Sequence, residues 1–286
     1  MKKNILLLCV LVLSFSKLFS QDSAVAPLEV NFKNSNTYSG ASYHTSFKKD
    51  APVILLGVGL TYLGSSLIKN EQPLTTTELA SKTINKIPFF DRGNAGYYSD
   101  KINKDSYIPF LASFVMPLAM VTLNKNESRN ATKILVMYVE SEAVTGALFT
   151  MAAGTIHRSR PLVYGTIAPD DQRKNKNNQR SFFAGHTAAT ASATFFAAKV
   201  FADLNPDCKA KPIVWAVAAA VPALVGYMRY KSGFHFLSDN LLGYVVGAAS
   251  GILIPEWHKN KISKNISFTP LIGQGFKGIS VACNFK

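Results

Sequence analysis

Arg229-Tyr-Lys-Ser-Gly-Phe-His235-Phe-Leu-Ser-Asp239 joins two apolar blocks of helix length, 212–228 and 236–254. Serine and glycine at 232–233 predict a tight turn, which would fold Arg229 back towards His235. His235 and Asp239 stand four apart at the start of a helical block, a spacing that shares one helix face. An aspartate there could accept the ring N–H and leave the other nitrogen free as a nucleophile. A structural hydrogen bond would use the same pair.

Further apolar blocks lie at 51–68, 107–124, 133–154 and 187–204. With the two above they predict an all-α fold, a bundle of six helices near the roughly 20 residues that cross a bilayer. Short linkers at 125–132 and 205–211 make neighbours antiparallel. Gly243, Gly247 and Gly251 repeat every four residues, which lets helices approach closely in lipid or in water. Glu140 and Glu142 interrupt the third block and must face the bundle interior or water.

Two more polar clusters fall at block ends. Arg158-Ser-Arg160-Pro161 closes the third block, and Ser181-Phe-Phe-Ala-Gly185-His186-Thr opens the fourth. Alternating helix direction puts both on the same face as Arg229, His235 and Asp239. Arginine suits bidentate phosphate binding. At a membrane edge it also serves as an anchor, a reading that fits Arg158 better than Arg160. Gly185 at a helix start would let backbone N–H groups point at an anion, and His186 there could act as a general acid.

Composition limits the alternatives. Apolar residues make up 48% and charged residues 17% of 286, with mean hydropathy +0.11. The charged share is low beside the ~25% of soluble domains. The net charge of +14 suits anionic lipid or phosphorylated substrate. Its scatter between apolar blocks, without stacking motifs, excludes a nucleic-acid partner. Cys208 and Cys283, with Cys9 in the leader, give neither metal spacing nor a disulfide framework.

Residues 1–20 have a basic start and a short apolar run, which predicts a bacterial signal peptide or an uncleaved anchor. The expected organisation is a polar arm at 21–50, the helical domain at 51–255 and a basic tail at 256–286, with strand-like alternation at 279–285. Segment 69–105 suits either a membrane-surface stretch or a structured loop, and 169–180 reads as a solvated basic loop.

These three clusters resemble the motifs of the type 2 phosphatidic-acid phosphatase family, Lys-x6-Arg-Pro, Pro-Ser-Gly-His and Ser-Arg-x5-His-x3-Asp. That family is related to class A acid phosphatases and vanadium haloperoxidases. The likeness spans roughly residues 150–250. It implies a six-helix phosphatase that forms a phosphohistidine at His235. His186 would protonate the leaving group and Asp239 would orient His235. Arg160, Arg229, the Gly185 N–H and Arg158 would hold phosphate. No metal and no other cofactor is implied. Ala153, Phe183, Ala184 and Met228 stand where the motifs have lysine, proline, serine and serine, so the anion cradle is thinner than the family's.

The expected substrate is a phospholipid, polyprenyl or lipid A phosphate, at a membrane. A soluble periplasmic acid phosphatase and a catalytically degenerate head-group binder are the alternatives. The basic linkers at 125–133, 209–211 and 259–264 favour an inner-membrane protein whose site faces the periplasm. A cleaved leader agrees with that only if block 51–68 does not cross, or if the whole bundle is periplasmic. The sequence sets no oligomeric state.

Overall fold

The computed structural model describes residues 42–259 and the backbone of two strands, 266–273 and 276–283. The leader and most of the expected polar arm lie outside the described residues. Six long helices account for the six apolar blocks: α1 Phe47–Asn70, α2 Tyr107–Leu123, α3 Ala131–Thr155, α4 Gly185–Leu204, α5 Lys211–Lys231 and α6 Leu237–His258. The protein is nearly all helical. Among the described residues two strands, Ile266–Gly273 and Phe276–Cys283, form an antiparallel hairpin in which Ile266 faces Cys283. The hairpin includes part of the alternating stretch at 279–285.

α4 is the centre. It packs against α6, α5, α2 and α3, while α1 lies on the outer side of α3. Small residues make this closeness possible. A Cβ on Gly247 would come within 2.0 Å of the Ala188 carbonyl oxygen. One on Gly243 or Gly251 would meet the Ala184 or Ser192 oxygen at 2.6 and 2.5 Å. The four-residue glycine repeat is therefore the seam between α6 and α4, as its spacing predicts.

Polar groups on these helices turn inwards. Ser141 and Ser192 lie 3.0 Å apart, Thr187 donates to Asn240 at 2.8 Å, and Thr194 donates to the Ala218 carbonyl at 2.8 Å. Glu140 is fully buried, and Glu142 lies against Ser192. Both acids of the third block thus face the interior.

The outer faces are the reverse. Leu55, Leu56 and Tyr62 on α1, Leu111 and Val115 on α2, and Leu241, Val245 and Leu253 on α6 are all exposed. So continuous an apolar belt is foreign to a water-soluble monomer. Five helices, all but α4, are long and apolar enough to cross a membrane. α1 is among them at 24 residues, longer than its apolar block of 51–68.

Because the helices alternate, the starts of α2, α4 and α6 and the ends of α1, α3 and α5 lie at one end of the bundle. All three motif clusters sit there.

Gly247→Ala is expected to lower stability by about 1–3 kcal/mol through overpacking against backbone. Gly59→Ala, where nothing lies within 4 Å of the added carbon, should stay within about 0.5 kcal/mol of the parent. Thermal unfolding in one detergent compares the two.

Candidate functional site

The polar end is built from four interlocked segments. Arg160 N–H donates to the Asn178 carbonyl, and Ser181 N–H to the Arg158 carbonyl, both at 2.8 Å. This pins the first cluster against the second. Leu162 N–H donates to the Gly233 carbonyl at 3.0 Å, adding the third. The fourth segment comes from 69–105. Asn94 donates its side-chain N–H groups to the Tyr230 and His235 carbonyls at 2.8 and 2.9 Å. Asp91 accepts from Ser238, N–H at 3.0 Å and hydroxyl at 2.6 Å. Asp91 and Asn94 are fully buried. That stretch is a structured clamp over the site.

Gly233 makes the expected turn. Its φ is +78°, a left-handed value, and a Cβ would come within 1.9 Å of the Tyr97 carbonyl oxygen. The N–H groups of Phe234 and His235 then return to the Arg229 carbonyl at 3.1 and 3.3 Å. Arg229 and His235 are thereby brought to one place.

His235 is 2% exposed. Its Nδ1–H donates to the Ser181 carbonyl oxygen at 2.7 Å, which leaves Nε2 with a free lone pair. Burial, then the charges of Arg160 and Arg229, hold its pKa well below the usual histidine value. Both the burial and the Ser181 contact favour a neutral ring protonated at Nδ1.

Here the expected contact fails. Asp239 does not accept from His235. One of its oxygens takes the Ser181 hydroxyl at 2.5 Å and the Phe236 N–H at 2.9 Å, and the other is held by Arg158. The reason is local. The helix starts at Leu237 after the extended residue Phe236, so His235 precedes the first turn. The four-residue rule does not apply, and Asp239 instead reaches back to cap the helix start. Ser181 lies between the two, its hydroxyl donating to Asp239 and its carbonyl accepting from His235.

Arg158 is a second correction. Its guanidinium contacts Asp239 and the Ser238 hydroxyl, meets Asp91 at 2.5 Å, and stacks 4.4 Å from the Phe236 ring. With its charge shared between two buried carboxylates, it ties segments together and has little left for phosphate.

The remaining arginines differ. Arg160 and Arg229 flank the Phe234 ring at 4.8 and 4.6 Å. Each has only neutral partners: Asn178 at 3.1 Å for Arg160, and Asn103 at 2.5 Å for Arg229. The Nε of each is buried without a partner. Burial and the charges of Arg229 and Arg180 disfavour the Arg160 charge, yet an arginine stays ionised. Arg180 itself sits near enough to act on both Arg160 and His186. The polarity of 169–180 concealed it as a solvated loop residue, though its place beside Ser181 was a usable signal.

His186 follows Gly185 at the start of α4, between Tyr107 and Phe110 with ring centroids at 5.0 and 4.4 Å. No side chain caps this helix start. Gly185 is set against Phe149, whose ring a Cβ would meet at 2.6 Å. Ala153 and Ala184 are fully buried. The structure thus brings together His186, His235, Arg160, Arg229 and Gly185, and adds Arg180. Ser181, Asp91 and Asn94 support them; Ser181 stood in the second cluster without a role of its own, and Asp91 and Asn94 lay in the 69–105 segment.

Residues 131–263 match the PAP2 superfamily. The resemblance carried by the three motif clusters is thus a family-level one, over a little under half of the chain. A solved structure is also similar: the crystal structure of the first transmembrane PAP2 type phosphatidylglycerolphosphate phosphatase from Bacillus subtilis. It is 17% identical, with a TM-score of 0.42, over 74% of this chain and 96% of that one. No curated protein matches.

The two kinds of arginine should separate on mutation. Arg158→Ala is expected to cost about 3–5 kcal/mol, the loss on removing one partner of a buried ion pair. Whatever stays folded should bind inorganic phosphate unchanged. Arg160→Ala or Arg180→Ala should weaken phosphate binding about tenfold or more with a smaller loss of stability, because each removes a charged ligand. Thermal melts and calorimetric titration measure the two effects.

Proposed function

We propose that this protein is a membrane-embedded phosphatase that hydrolyses a lipid phosphate or diphosphate through a phosphohistidine on His235. One observation carries the reading. Arg160 and Arg229 act on both His186 and His235, Arg180 acts on His186, and none of the three forms a salt bridge with an acid among the described residues. Arg229 is fully buried and the other two are half-buried, and a buried charge without a paired acid is costly. A bound phosphate would supply the missing anion. The PAP2 match supports the same chemistry, and the exposed apolar belt favours a substrate that resides in lipid.

The chemistry follows from the groups. His235 Nε2 attacks phosphorus, the P–N bond forms, and the P–O bond to the leaving group breaks. Arg160, Arg180, Arg229 and the free N–H groups at the start of α4 stabilise the equatorial oxygens as charge builds. His186 gives its proton to the departing oxygen. A water then gives a proton to His186 and attacks phosphorus, and His235 is released with inorganic phosphate. Burial first, then the charges of Arg229, Arg160 and Arg180, oppose a charge on His186. A phosphate dianion would offset the guanidinium charges and so favour the protonated ring that the general acid requires.

In this reading Arg180 supplies the cation that Ala153 withholds. The linkers with excess lysine, 125–133 and 209–211, lie at the opposite end of the bundle. The positive-inside tendency then directs the site to the periplasm. With α1 long enough to cross, Phe47 starts on the cytoplasmic side.

Purified protein should release phosphate from phosphatidate or undecaprenyl diphosphate without added metal. His235→Ala should lose at least about 10³-fold in rate, and His186→Ala about 10²–10⁴-fold. With a radiolabelled phosphate ester, an alkaline quench should retain label on the parent chain and none on His235→Ala. Equal turnover by parent and His235→Ala would refute the mechanism.

A further inference from the structure

At the end of the bundle away from the catalytic histidines, Asp50 of α1, Glu140 of α3 and His258 of α6 converge. They are 2%, 0% and 6% exposed. His258 closes α6, about 30 Å along that helix from Leu237. The phosphatase reading makes no use of this cluster.

Its geometry poses a charge problem. His258 Nδ1–H donates to the Ile254 carbonyl at 2.9 Å. Nε2 therefore faces the cluster, 3.2 Å from Asp50 Oδ1 and 3.2 Å from Glu140 Oε2. In a neutral ring that nitrogen is a lone pair, and it would oppose two carboxylate oxygens. A proton or a cation must stand between them. A second ring proton meets the need only in part. The Glu140 contact has ion-pair distance without hydrogen-bond geometry, and both Glu140 oxygens are buried with no hydrogen-bond partner. An unpartnered carboxylate in the bundle interior is costly.

A divalent cation meets both demands. One ring nitrogen bound to a backbone carbonyl and the other turned to the ion is the usual arrangement of a ligating histidine. One ligand atom from each residue lies within 4.8 Å of the others. Tetrahedral ligands at ~2.0 Å from zinc stand ~3.3 Å apart, close to both nitrogen–oxygen separations here. One imidazole with two carboxylates suits zinc better than the softer or larger ions. A pocket of about 400 Å³ opens onto Asp50 and His258, with His44, Ser46, Lys49, Trp257 and Lys259 along its wall. It offers an entry path and room for a water ligand. Of its lysines, Lys259 is paired with Asp203 at 2.8 Å.

We propose that Asp50, Glu140 and His258 form a zinc site that ties α1, α3 and α6 together, with a water from the pocket as fourth ligand. Neither the proposal nor its test rests on the phosphatase reading. Full-length protein purified in detergent, stripped with chelator and dialysed, is titrated with Zn²⁺ and separately with Co²⁺. The expected results are one equivalent of zinc per chain by elemental analysis, and a Tm raised by about 5 °C at a hundredfold excess over Kd. Co²⁺ should give the strong visible ligand-field absorption of a tetrahedral site, a readout that needs no variant. Glu140→Gln, close in shape, should lose the bound equivalent, and His235→Ala should retain it. Parent protein that takes up no zinc, shows no Tm response and gives no tetrahedral cobalt band would overturn the site. A protonated His258 between two carboxylates would then be what joins the three helices.

Discussion

The guanidinium of Arg158 holds the catalytic end of this bundle together. It reaches Asp239 at the start of α6, Asp91 in the 69–105 segment and the Ser238 hydroxyl. Its own backbone carbonyl accepts from Ser181. Four stretches of chain, distant in sequence, meet around one planar cation. Arginine suits the task because its fork serves two carboxylates at once and stays charged when desolvated. Both carboxylates are fully buried, so the arrangement is stable only while complete.

That tie also decides how His235 is held. Asp239 is occupied by Arg158, Ser181 and the backbone of Phe236, and has nothing left for His235. The Ser181 carbonyl takes the ring N–H in its place. A carbonyl fixes the tautomer as a carboxylate would, and it adds no negative charge beside the ring. The counter-charge stays one residue away, spent on Arg158. Arg160, Arg180 and Arg229 are left without a salt bridge to an acid among the described residues, an arrangement that suits an anion.

Much of this was legible in the chain. All six helices follow the apolar blocks, because helix length and burial share one pattern in a bundle. The glycine repeat marked the α4–α6 seam, and Ser232-Gly233 marked the turn that joins Arg229 to His235. What escaped depended on contacts between segments. Asp91 and Asn94 belong to a stretch without periodicity, and their burial arises from partners 67 to 147 residues away. Arg180 stood among lysines and amides, where polarity argued for water. Asp239 was misassigned because a helix rule was applied across a helix boundary, at a histidine that precedes the first turn.

α4 shows why a hydropathy reading alone understates such a bundle. It is the one long helix not apolar enough to count as a candidate span, yet it is the most enclosed. The two facts have one cause. A helix surrounded by other helices meets no lipid, so its surface is chosen for close approach and internal pairing. Alanine, serine and threonine supply both. They let α6 come near enough for Gly247 to touch the backbone, and their hydroxyls find partners on α3, α5 and α6. That rigid polar spine starts at Gly185 and His186. The residue that would protonate the leaving group therefore stands on the best-packed helix of the protein, and the arginines come to it on the interlocked loops around it.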